Sequence, residues 1–149
     1  MICMRATRRV LLCLASVVAG SAIAACSAGL DSSGSHAGLG CVDDSSHCIE
    51  QRRTALHSIM NDKDRKWVRD APTPAAYASG VRLFAFKTRK SELSCDELAV
   101  GRREADNAPH VLRGPGSTNL TPAQVSRGVM LGAEVSRELA TEMKRRCRA

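Results

Sequence analysis

A chain of 149 residues, 44% apolar and carrying a formal charge of +7, is long enough for one domain. Three of the 22 Lys and Arg lie among the first nine residues, and the charge of the remainder is too modest to demand a nucleic-acid partner. The chain has seven cysteines, whose use depends on which of them remain in the mature protein.

The first elements are a leader. Arg5, Arg8 and Arg9 precede the apolar run Val10 to Ala19, and Gly20 to Ala25 is small and mostly uncharged. That order is the layout of a bacterial secretory signal peptide. A membrane span needs about 20 apolar residues, and Val10 to Ala25 falls short of it. Two cuts are possible. Ala22-Ile23-Ala24 suits ordinary signal peptidase. Ile23-Ala24-Ala25-Cys26 resembles the lipobox of bacterial lipoproteins, with Ile23 where that family usually has leucine. The resemblance implies lipid on Cys26, which becomes residue one. Ser27, being other than aspartate, implies sorting to the outer membrane. Cysteine arithmetic agrees. Cys3 and Cys13 leave with the leader, and lipid on Cys26 leaves four cysteines for two disulfides.

Three regions follow: a leader over 1–25, a lipidated tether over 26–40 and a single domain over 41–149. Without the leader arginines, 19 Lys and Arg face 15 Asp and Glu. Residues 27–40 are rich in Gly, Ser and Ala without periodicity, as in a flexible linker. From Cys26 onward, 22 residues are Leu, Ile, Val or Phe. A core that thin invites disulfide support.

The domain reads as mainly α, a small bundle of about four helices. Helix 1 is predicted over 46–68, with Ile49, Leu56, Ile59, Met60 and Trp67 on one face. The stretch Asp70 to Pro74 ends it. Thr73-Pro74 starts helix 2, over 74–88, with Tyr77, Val81 and Phe84 on one face. A strand over Val81 to Phe86 competes with its second half. Ser94 and Glu97 form a capping box for helix 3, over 95–107, which stops before Pro109. Thr121, Pro122 and Gln124 repeat the device for helix 4, which runs to Arg146 with Leu131, Val135, Leu139 and Met143 at four-residue steps. Gly114-Pro115-Gly116 is a turn, lacking the Gly-Lys-Ser/Thr ending of a phosphate loop.

Cys95 opens helix 3 and Cys147 closes helix 4, so an antiparallel pair brings them together. The expected bridges are Cys95–Cys147 and a local clasp, Cys41–Cys48. The competing scheme is Cys48–Cys95 with Cys41–Cys147.

Chemistry is sparse. Cys41, His47 and Cys48 lack the paired spacing of a zinc site. No metal or cofactor is expected. The remaining histidines stand apart from any nucleophile motif. Asp62, Asp64 and Asp70 interleave with cations, and Arg102-Arg103-Glu104 reads likewise as a solvated, salt-bridged face. Lys144, Arg145, Arg146 and Arg148 form the strongest cationic cluster. They are candidates for contact with an anionic surface, or else cations that favour a helix C-terminus. The expectation is an envelope lipoprotein with a binding or structural role, held at a membrane by lipid and facing the periplasm, without nucleic acid. Its partner is an envelope polyanion or a protein. A secreted inhibitor of a lytic enzyme and a small cell-wall hydrolase are the alternatives.

Overall fold

The computed structural model describes residues 39–147; the leader, Cys26, the tether up to residue 38 and Arg148 lie outside the described residues. Five α-helices follow in order: α1 Ser46–Asn61, α2 Pro74–Ser79, α3 Val81–Arg89, α4 Cys95–Leu112 and α5 Pro122–Arg146. Short 3-10 turns occupy Lys66–Arg69 and Pro115–Ser117, and no strand occurs among the described residues. The mainly helical, disulfide-stapled architecture is thus as expected, with one more helix.

The caps form as read. Ser94 accepts from the Glu97 amide while the Glu97 carboxylate accepts from the Ser94 amide, at 3.2 and 2.7 Å. Thr121 and Gln124 do the same for α5. Each box satisfies amides that the first helical turn leaves unpaired.

Three boundaries differ, each for a local reason. The first helix ends at Asn61 rather than 68. The Asp62 carboxylate accepts from the amides of Asp64 and Lys66 at 3.1 and 2.7 Å, drawing the chain into a side-chain-supported turn. Arg65 follows in the left-handed region, φ 49°. Trp67 is therefore carried on a 3-10 turn, though it is buried all the same.

The predicted second helix is broken at Gly80, φ 73°. A β-carbon there would be strained and would lie 2.8 Å from the Leu131 side chain. The break gives α2 and α3, and residues 81–86 are helical rather than a strand. It also turns Phe84 outward while Tyr77 and Val81 stay buried.

The third helix passes through Pro109 to Leu112. Proline cannot donate to the Ala105 carbonyl four residues back. That oxygen faces α5 at Gly132, where an added β-carbon would sit 2.9 Å from it and 2.8 Å from Ala108. The small residues let α4 and α5, the most extensively packed pair, approach closely. They run antiparallel, because Cys95 at the start of α4 is bonded to Cys147 beyond α5.

α3 lies at the centre, with Val81, Leu83, Ala85 and Phe86 buried. Phe86 meets Trp67 edge to face, with centroids 4.6 Å apart. Leu93, Leu98, Leu112, Val135 and Leu139 complete the interior. So does an ion pair. Arg82, 1% exposed, donates to both carboxylate oxygens of Glu104 at 3.0 and 2.7 Å and to the carbonyls of Trp67 and Asp70. Glu104, expected on a solvated face, is buried instead. Tyr77 packs nearby. Burial, then the Glu104 charge, push its phenol pKa up.

Candidate functional site

α1 packs on α3 and leaves a cleft toward α5. Ile49, Arg52, Arg53 and Leu56 recur at three- and four-residue steps and so share one face of α1. They line the cleft with Val81 and Phe84 of α3, Ser79 and Gly80 at the helix break, and Leu131 of α5. The cavity is about 380 Å³. A second hollow of about 290 Å³ continues it past Arg52 and Leu131 to Val42, Ala78, Arg127 and Gly128.

The lining is aliphatic, aromatic and cationic. Ile49 and Phe84 are 42% and 45% exposed, large apolar side chains left open on two helices beside one hollow. No carboxylate is among the residues lining either hollow.

Cys41–Asp44 form a strap at one end of the cleft. The Arg52 guanidinium donates to the carbonyls of Cys41 and Asp43 at 3.2 and 2.6 Å. Gln124 donates to the Val42 carbonyl at 3.0 Å, and Arg127 meets the Asp44 carboxylate at 3.1 Å. The strap thus joins the start of α1 to α5. Arg53 pairs with Glu50 at 2.8 Å. The rim cations are therefore matched by acids within the chain. Hydrogen bonds from Ser45 hold the Asp43 carboxyl below its usual range.

The cysteines are joined as Cys41–Cys48 and Cys95–Cys147, with Cα separations of 5.3 and 5.8 Å. The carboxy-terminal cations are divided. Arg145 pairs with Glu142. Arg146 reaches the carbonyls of Lys90, Ser91 and Leu93 at 3.1, 2.8 and 2.9 Å, closing the end of α3. Lys144 is exposed, and Arg148 and Cys26 lie outside the described residues. Among the described residues no three His, Cys, Asp or Glu side chains converge to hold a metal ion. No described helix is long and apolar enough to cross a membrane.

No protein-family model, curated protein or solved structure matches the chain. The functional reading therefore rests on its own residues.

Sequence reasoning missed the cleft. Periodicity groups Ile49 with Leu56 and Ile59, and Phe84 with Tyr77 and Val81, on one helix face each. Only the Gly80 break, by changing the phase between Tyr77 and Phe84, could have signalled that Phe84 points elsewhere.

Proposed function

We propose that the chain is a lipid-anchored protein of the bacterial cell envelope that acts by binding a partner through the cleft between α1, α3 and α5. The observation that carries the binding role is the exposure of Ile49 and Phe84 beside one apolar hollow. Contiguous exposed apolar surface marks interaction sites more often than solvated faces.

The anchor is argued from the cationic leader and from Ile23-Ala24-Ala25-Cys26. With lipid on Cys26, the stretch to Leu39 reaches at most about 45 Å, which keeps the domain beside the bilayer. Ser27 favours the outer membrane, with the domain facing the periplasm. Among the described tail cations, Lys144 is the one left for an envelope polyanion, since Arg145 and Arg146 have internal partners; Arg148 lies outside the described residues.

Two measurements test the reading separately. Cys26→Ala should move the protein from the membrane to the soluble fraction and remove the acyl mass from the intact protein. An unchanged membrane fraction overturns the anchor. A photo-crosslinking residue at position 84 should yield an adduct in intact cells that the same residue at exposed Lys63 does not. Equal yields at the two positions overturn binding through the cleft.

A further inference from the structure

The two bridges sit in different electrostatic settings. Cys48 lies in the first turn of α1, its own amide donating to the Ser45 cap. The positive end of a helix favours a thiolate there. Arg52, one turn on, places a guanidinium N–H 3.4 Å from the Cys48 sulfur. α1 has no acid in its first turn. The nearby carboxylates stand in solvent: Glu50, two residues on, pairs with Arg53, Asp43 accepts from Ser45, and Asp44 pairs with Arg127 at 3.1 Å and more distantly with Arg52 at 3.8 Å. Cys48 is fully buried, whereas Cys41 is half-buried, so a reagent meets Cys41 first.

In the other bridge the exposed Cys95 opens α4, where Asp96 and Glu97 in the first turn offset the positive helix end, and the half-buried Cys147 packs against the core. Attack on Cys95 must expel Cys147, which caps the carboxy-terminal, negative end of α5. That end disfavours a thiolate. Among the described cations of the last turn, Arg145 and Arg146 are bound to Glu142, while Lys144 is exposed.

We propose that Cys41–Cys48 is an exchangeable disulfide, open to attack by a small thiol at Cys41, while Cys95–Cys147 is the permanent staple. An external thiolate attacks the Cys41 sulfur. A mixed disulfide forms there, and the electron pair of the Cys41–Cys48 bond leaves with Cys48, held by Arg52. With a dithiol reagent, its second thiolate then displaces Cys41. The reagent closes its own disulfide and two electrons pass to the protein. The reagent's protons end on Cys41 and on Cys48, or in solvent where Cys48 stays ionised. A better leaving thiolate speeds exchange, and a stabilised reduced form raises the reduction potential. Reduction also removes the covalent tie of the strap that ends the cleft. The inference depends neither on the lipid anchor nor on a partner.

The test is a dithiothreitol titration of the folded full chain, with alkylation of free thiols and peptide mapping. Cys41 and Cys48 should become alkylated together at a concentration about tenfold or more below that needed for Cys95 and Cys147. Simultaneous labelling of all four, or earlier labelling of Cys95 and Cys147, overturns the proposal. Arg52→Gln should reduce the fraction of Cys41–Cys48 opened at a fixed dithiothreitol concentration by about threefold or more, through loss of charge beside Cys48. A merely structural Arg52 would loosen the strap and make the bridge easier to open. Unchanged or easier opening therefore overturns its role, and the order in the unsubstituted chain stands as an independent readout.

Discussion

At the scale of single residues, arginine supplements a meagre hydrocarbon interior. Arg52, Arg82, Arg89 and Arg146 each donate to backbone carbonyls where one segment ends and another passes. Arg82 is the most committed. Replacing it with methionine strands the Glu104 carboxylate, and losing one partner of a buried pair costs about 3–5 kcal/mol. The urea midpoint of Arg82→Met should fall accordingly, while a loss below about 1 kcal/mol would show the pair to be marginal. The sequence did not reveal this pair. Arg82 and Glu104 are 22 residues apart; Glu104 stands among charged neighbours that mimic a solvated face, and Arg82 is a lone cation in the apolar run Val81 to Phe86. Glu138 offers a gentler case. Lys90 and then Lys87 hold its carboxyl below the usual 4.5. A folded pKa below the unfolded one adds stability above about 4.5, lost as pH falls through the folded value. Glu138→Gln should therefore flatten the decline in melting temperature below about pH 4.5. Because the pair is partly exposed, the effect at neutral pH should stay within about 1 kcal/mol.

At the scale of elements, polar punctuation was legible and breaks inside helices were not. Ser94, Thr121 and the acceptors three residues after each mark helix starts because their hydrogen bonds are local. The Ser94→Ala variant should lose about 1 kcal/mol in a denaturant melt. Glu97 also takes an N–H from Arg65 at 2.8 Å, so its own removal should cost more than the cap alone. Gly80 and Pro109 misled in opposite senses. Gly80 divides a helix because Leu131 fills the space a side chain would need. Pro109 fails to end one, and the Ala105 carbonyl it leaves without a donor lies against α5 at Gly132. Both places meet a helix distant in sequence, and periodicity within a window carries no record of it. The exposure of Ile49 and Phe84 escaped it for the same reason. A helical stripe says which side chains face alike, and the placement of α5 decides which of them it covers.

For the whole molecule, the order of caps and the two cysteine pairs sufficed to anticipate an antiparallel pair stapled at its end. The longer bridge spans 52 residues and encloses α4, the turn after it and α5. Those residues form a covalent ring. The exposed Arg113 turn is where the ring meets a protease. A single backbone cut after Arg113 should leave one molecule of unchanged apparent mass, heavier by one water, that separates into two fragments only when a reductant opens Cys95–Cys147. Non-reducing and reducing gels of a brief tryptic digest would show it; fragments parting without reductant would contradict the ring. The protein should thus tolerate damage at that turn as a nick rather than as a severed chain.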